Sequence, residues 1–390
     1  MHIGIVGAGH AGVAAAVAAR EAGPEVTLFS AEDVVPYYRP RLTALAFGQA
    51  EFAAIRLHPP EWYGQAGIRL MLGRPVEAMD PAAGKVTSAG ETLRFDGLVL
   101  ACGAWPILPP FAAGAAGNVL PLWHAGHAGA IRRQVRTGGR LVVLGGGILG
   151  IEAALRGIEA GMKVEIAELM DRLMPAQFGD RASRVLLRRL TEQGIVVHLG
   201  HAVTAAGESG NGIRLTFDDG RVVEADLCLT TIGARPAKSL AATAGLTTGR
   251  GVVVDEHLAA SRARCFAAGD MIQFEGVTRC SMQEAVNQGR IAGANCAASL
   301  VGGALRAYAP ETQPLTFRSR DFELYSIGEP GGIGFEEHLL EGTTERMIRS
   351  LVVKDGIPMG VQMIGTREGF DEYVRTVKVA AKRRADSPAS

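Results

Sequence analysis

Gly7-Ala8-Gly9-His10-Ala11-Gly12 and Gly145-Gly146-Gly147-Ile148-Leu149-Gly150 repeat one glycine pattern, and the residues around them decide the fold. The first copy follows the apolar run Ile3-Gly4-Ile5-Val6. It leads through small residues to Arg20, then Gly23, then Val26-Thr27-Leu28-Phe29. The second follows Leu141-Val142-Val143-Leu144 and leads to about Glu159, then Gly161, then Lys163-Val164-Glu165-Ile166. Each reads as strand, glycine turn, helix, strand. The first glycine of such a turn permits the tight bend, the second lets backbone approach a diphosphate, and the third lets helix pack on strand. A diphosphate then meets the positive end of the helix.

One copy alone is weak, because glycine turns also occur where helix and sheet merely pack closely. Two copies aligned position by position predict two Rossmann-type dinucleotide domains. An acidic residue is expected about 20 positions after the turn, where it binds a ribose hydroxyl. Glu168 ends the second strand of the second copy with no arginine directly beside it, although Arg172 is near; this favours NADH over NADPH. In the first copy Ser30 holds that place, so the nearby Glu32, next to Asp33, is assigned to the ribose of the first dinucleotide.

Composition sets the wider limits. The 390 residues exceed one ordinary domain, and 47% hydrophobic residues, 21% charged residues and 51 glycines describe a glycine-rich α/β enzyme. Forty basic residues balance forty acidic ones, so no global field draws the chain to nucleic acid or to a membrane surface. Arg132, Arg133 and Arg136 read as a solvated helix face, and the three tryptophans as packing. Cys102, Cys228, Cys265, Cys280 and Cys296 are an odd, scattered set, which reads as reduced thiols in a cytoplasmic protein. No apolar run approaches the roughly 20 residues of a membrane span, and the glycine-broken start is no leader peptide. No histidine is expected to join acidic or cysteine ligands in a metal site, His198 and His201 included.

Three further segments carry a family resemblance. Phe95-Asp96-Gly97-Leu98-Val99-Leu100-Ala101-Cys102-Gly103-Ala104-Trp105-Pro106, Leu227-Cys228-Leu229-Thr230-Thr231-Ile232-Gly233-Ala234-Arg235-Pro236 and Cys265-Phe266-Ala267-Ala268-Gly269-Asp270 stand in that order. With the two turns they resemble the two-dinucleotide-domain flavoproteins: glutathione reductase, ferredoxin reductases, NADH:rubredoxin reductase and the N-terminal part of NAD(P)H nitrite reductase. The resemblance covers roughly residues 1–300 and implies FAD on the first turn and NAD on the second. The implied FAD contacts are Gly7, Gly9, His10, Ala11, Gly12, Glu32, Arg39, Gly103, Gly269 and Asp270, with Asp270 the leading one outside the turn. The implied NAD contacts are Gly145, Gly147, Ile148, Leu149, Gly150, Glu152, Glu168 and Gly233. Cys102 and Trp105 depart from the family's usual threonine and arginine or serine.

The fold expected is α/β, with two three-layer Rossmann-like domains and a small α+β C-terminal domain. The NAD domain (111–236) is inserted in the FAD domain (1–110 and 237–303). The third domain spans 304–380, with strand-like pieces at 347–353 and 359–364, and 381–390 is expected as a disordered tail. Phe317-Arg318-Ser319-Arg320-Asp321-Phe322-Glu323-Leu324-Tyr325-Ser326-Ile327-Gly328-Glu329 and Gln288-Gly289-Arg290-Ile291-Ala292-Gly293-Ala294-Asn295 resemble elements of rubredoxin and nitrite reductases, the latter packing by the flavin.

Disulfide reductases of this family need a closely spaced cysteine pair, which this chain lacks. The segment Pro36-Tyr37-Tyr38-Arg39-Pro40-Arg41-Leu42 instead resembles ferredoxin and rubredoxin reductases. There the family places a lysine that pairs with a glutamate matching Glu152. Thr43 and Ala44 occupy its region, and whether Arg39 or Arg41 substitutes is open. The expected chemistry is hydride transfer from nicotinamide to flavin, then electrons to a small iron–sulfur or other redox protein, with no metal. A diaphorase subunit of a larger reductase and a non-catalytic NADH sensor remain alternatives, and a homodimer is left open.

Overall fold

The computed structural model describes residues 1–114, 117–210 and 212–386. Its backbone contacts divide it into two units, one of residues 1–41, 50–106 and 234–311, the other of residues 42–49, 107–233 and 312 onward.

The first unit is built on a five-stranded sheet in the order Ile68–Met71, Glu25–Phe29, His2–Val6, Gly97–Leu100, Cys265–Ala267. All four pairings are parallel. Parallel strands covered on both faces need near-continuous apolar runs, and Ile3, Ile5, Leu98, Val99 and Leu100 are at most 1% exposed. Met79 and Val86, from an antiparallel meander of Val76–Asp80, Lys85–Ser88 and Glu91–Arg94, share this core. The helices His10–Glu21 and Met282–Leu300 lie against each other almost backbone to backbone. A Cβ on Gly289 would stand 2.2 Å from the Ala11 carbonyl oxygen, and one on Gly293 2.2 Å from that of Ala15. The glycines of the Gln288–Asn295 segment are therefore helix-packing residues.

The second unit repeats the plan. Its parallel sheet runs Val196–Leu199, Lys163–Glu168, Arg140–Leu144, Leu227–Thr230, Val119–Pro121. The helix Ile148–Glu159 covers one face, where Gly157 sits close on Leu141 and Val164. A second meander covers the other, putting Ile213, Leu215 and Phe217 against Val142, Leu144 and Cys228. Both Rossmann-like sheets thus have three layers, as expected, with an antiparallel meander as the third. Beyond them an antiparallel five-stranded sheet, Leu315–Arg318, Glu323–Gly328, Ile357–Ile364, Ile348–Lys354, Glu336–Leu339, packs on the helix Phe370–Asp386. Phe370 and Val377 close its core over Tyr325, Val361 and Met363.

Several boundaries differ from the sequence expectation, residues 107–110 falling in the second unit and 234–236 in the first. Residues 381–386 continue the final helix and are no disordered tail, because that helix is held by its docked apolar residues; 387–390 lie outside the described residues. Residues 304–311 belong to the first unit, anchored by Tyr308 at 3% exposure. Residues 42–49 belong to the second. No helix among the described residues is long and apolar enough to cross a membrane.

Candidate dinucleotide sites

In each parallel sheet the glycine-turn strand is central, and the chain leaves it to one side and later returns on the other. Ligands bind at the strand ends of such a switch point. The two turns are superimposable in their dihedral demands: Gly7 has φ +108° and Gly145 φ +104°, a region that L side chains avoid. A Cβ on Gly12 would stand 1.7 Å from the Gly7 carbonyl oxygen, and one on Gly150 2.0 Å from that of Gly145. The middle glycines behave oppositely. A Cβ on Gly9 or Gly147 would meet nothing within 4 Å, so open space lies where a diphosphate needs to approach.

Both helices begin on these glycines with no side-chain cap and no acidic residue in the first turn. Their first N–H groups are left for an anion, which is the fit a diphosphate requires. The residues present therefore suit a dinucleotide at each turn.

Around the first turn the structure gathers most of the expected contacts. Glu32 accepts from Tyr37 Oη at 2.8 Å and from Arg39 at 2.7 Å. The Arg39 guanidinium also acts on His10, whose imidazole burial and that charge hold down to about 4. Burial pushes the Asp270 carboxyl up, and Arg39 partly offsets this. Gly269 has φ +83°, and a Cβ added to it would stand 3.0 Å from the Cβ of Ala11, so Asp270 follows directly beside the turn. Gly103, at φ +69°, accepts the Ala237 N–H where Ala104–Pro106 pairs with Ala234–Pro236.

Around the second turn, Glu168 is 9% exposed and accepts from the Gly146 N–H at 2.6 Å and the Met170 N–H at 2.7 Å. The carboxylate braces the turn itself, and each oxygen keeps a lone pair for a ribose hydroxyl. Gly233 has φ +104°, and Thr231 Oγ1 donates to the Leu144 carbonyl at 2.8 Å. Ile148 and Leu149 open the helix. Glu152 meets Thr43, whose hydroxyl donates to Oε1. Thr43, in the region of the family lysine, is thus the residue that meets Glu152. Burial raises the Glu152 carboxyl, with Thr43 and Arg156 offsetting it in part.

One chain of buried groups was invisible in the sequence. The Gly269 N–H donates to Gln288 Oε1 at 2.8 Å, and Gln288 Nε2 donates to Tyr308 Oη at 2.9 Å. Tyr308 in turn donates to Glu284, which also accepts the Glu311 N–H. The Tyr308 phenol is pushed up to about 12 by burial and by Glu284, so it stays a donor. Tyr308→Phe is expected to lower stability by about 1–3 kcal/mol through two orphaned buried partners. Urea unfolding measures this, and an unchanged midpoint would remove the chain's importance.

His201, Asp218 and Asp219 place ligand atoms within 4.8 Å of one another. These are half-exposed or exposed residues, Asp219 is paired with Arg221 at 2.5 Å, and no metal site is assigned. All five cysteines are free thiols. Burial raises Cys102 to about 12, and its N–H donates to Met271 Sδ.

The family profile described as pyridine nucleotide-disulphide oxidoreductase matches residues 1–297. The chain belongs to the pyridine nucleotide-disulphide oxidoreductase family. Members of this family use FAD and NAD(H). Over 97% of its length the chain is 34% identical to the ferredoxin reductase component of chlorobenzene dioxygenase from Cupriavidus sp., of which it covers 93%. Over 69% of its length it is 33% identical to rubredoxin-NAD(+) reductase of Ectopseudomonas oleovorans, of which it covers 71%. Among solved structures, the covalent putidaredoxin reductase–putidaredoxin complex matches with a TM-score of 0.86 at 26% identity, covering 97% of this chain and 93% of that one. In this pyridine nucleotide-disulphide oxidoreductase the disulphide of the family name has no counterpart among the free cysteines.

Proposed function

We propose that the protein is an FAD-dependent NADH oxidoreductase that passes electrons to a small redox protein of the rubredoxin or ferredoxin kind. The observation that carries this is the pair of matched glycine turns on two parallel sheets, in a chain whose thiols form no pair. Relatives named as reductases of ferredoxin, rubredoxin and putidaredoxin supply the acceptor class. Two relatives, one named for a benzene 1,2-dioxygenase system and the other for chlorobenzene dioxygenase, are reductase components of dioxygenases, which favours service within a multicomponent oxygenase as a second reading. Unpaired thiols fit a reducing compartment, so the cytoplasm is the proposed location.

When bound, the two cofactors supply hydride and electron transfer. The protein's share is placement. Gly7, Gly9 and Gly12, with the first N–H groups of the following helix, would hold the FAD diphosphate. Asp270 and Arg39 would flank it, Glu32 fixes Arg39 and is the proposed FAD ribose residue, and Gly103 and Gly269 shape the turns. Gly145, Gly147 and Gly150, with Ile148 and Leu149, would hold the NAD diphosphate, with Glu168 on the adenosine ribose and Gly233 at the rim. Glu152, shielded by Thr43, is a positioning residue.

Anaerobic mixing with NADH tests the reading. Rapid, complete bleaching of oxidised flavin followed by turnover with an artificial acceptor supports it; slow bleaching without turnover would leave a sensor. Glu168 should repel a 2′-phosphate, so kcat/KM is expected to be at least about tenfold higher with NADH than with NADPH. Equal values would remove Glu168 from that role.

A further inference from the structure

The side chain of His10 has no part in the glycine pattern, which uses only backbone at that position. Yet its Nε2 is buried and has no hydrogen-bond partner among the described residues. Buried polar nitrogens are nearly always paired, so an unpaired one at a ligand site points to the ligand. His10 is the first residue of its helix, directly after Gly9 and its open space. The ring meets the Tyr38 ring edge-on at 5.4 Å between centroids. The charged groups facing this place are Arg39, which acts on both His10 and Asp270, Asp270 itself, and Glu32 through its ion pair with Arg39.

We propose that the His10 imidazole contacts the diphosphate of bound FAD and gains a proton as it does so, making flavin retention tighter as pH falls through the neutral range. This rests on the assignment of FAD to the first turn.

Without the ligand, burial first and Arg39 second keep the ring neutral, with its titration held down to about 4. A diphosphate brings two negative charges against that single cation, and an opposite charge at close range favours the protonated form. The bound-state pKa is then the higher one. Binding takes up a proton at any pH between the two values, and the extra affinity is present below the bound-state pKa and lost as pH rises through it. Asp270 also titrates, but it is shared by wild type and His10 variants, so their difference isolates the imidazole.

The test uses the full-length holoprotein, with dissociation followed by the fluorescence of released FAD. Between about pH 8 and pH 6 the wild-type Kd should fall roughly tenfold or more, the limit being about tenfold per pH unit for one proton. His10→Gln, which keeps a neutral donor, and His10→Leu, which keeps none, should show a flatter profile, with His10→Leu weaker throughout. Calorimetry of FAD binding to wild type in two buffers of different ionisation enthalpy gives proton uptake directly and needs no variant. Uptake near neutral pH and a slope lost in both variants support the proposal. Equal slopes in all three proteins, or no proton uptake, overturn it while leaving the FAD assignment intact. A wild type that binds no FAD at any pH overturns the assignment and this proposal together.

Discussion

Gly7→Ala is expected to give colourless protein, less stable than wild type by about 3 kcal/mol. Two independent costs meet at this residue. Its φ of +108° lies outside even the left-handed region that L residues sometimes visit. The added Cβ would also stand 2.3 Å from the Ala101 carbonyl oxygen, on a strand end fixed in the core of the sheet. Relief requires the turn to move, and the turn is what places the first N–H groups of the helix. Flavin content after purification and the thermal midpoint both read the outcome. A yellow protein with the wild-type midpoint would refute the geometry.

Asp270→Ala is the second large effect. The fold should survive, since no side-chain hydrogen bond of Asp270 is needed for the Gln288–Tyr308 chain, which grips the neighbouring Gly269 N–H instead. Losing charge-assisted hydrogen bonds to the cofactor is expected to cost about 3 kcal/mol, roughly a hundredfold in the Kd for FAD. Asp270→Asn, which retains part of the hydrogen bonding, should fall between. Absorbance at the flavin band against total protein measures this, with far-ultraviolet dichroism as the check on folding. An alanine variant that purifies with full flavin would mean Asp270 does not touch the cofactor.

The parallel sheets were legible because their demands are local. Four apolar residues, a glycine turn and a small-residue helix each leave a mark within about 20 positions. The meanders left a fainter mark, since short half-exposed strands such as Val76–Asp80 carry no unbroken apolar run. The partnership of Thr43 with Glu152 joins residues 109 apart through one hydroxyl, and nothing in either segment announces it. Tyr308 lies in a linker-like stretch and declares its place only when it is seen buried against Gln288 and Glu284. The basic run Lys382-Arg383-Arg384 hid the final helix, because the apolar residues that dock it, Phe370 and Val377, lie one to several turns upstream.

The glycine contact between the helices His10–Glu21 and Met282–Leu300 also sets a schedule for synthesis. The strand Cys265–Ala267 and the helix that locks onto Ala11 and Ala15 emerge from the ribosome after nearly all the rest of the first unit. Until then the amino-terminal strands lack their edge partner and their cover, while the inserted sheet between Val119 and Thr230 has every strand it needs. The inserted sheet should therefore close first during translation, leaving the beginning of the chain as the stretch most in need of chaperone protection.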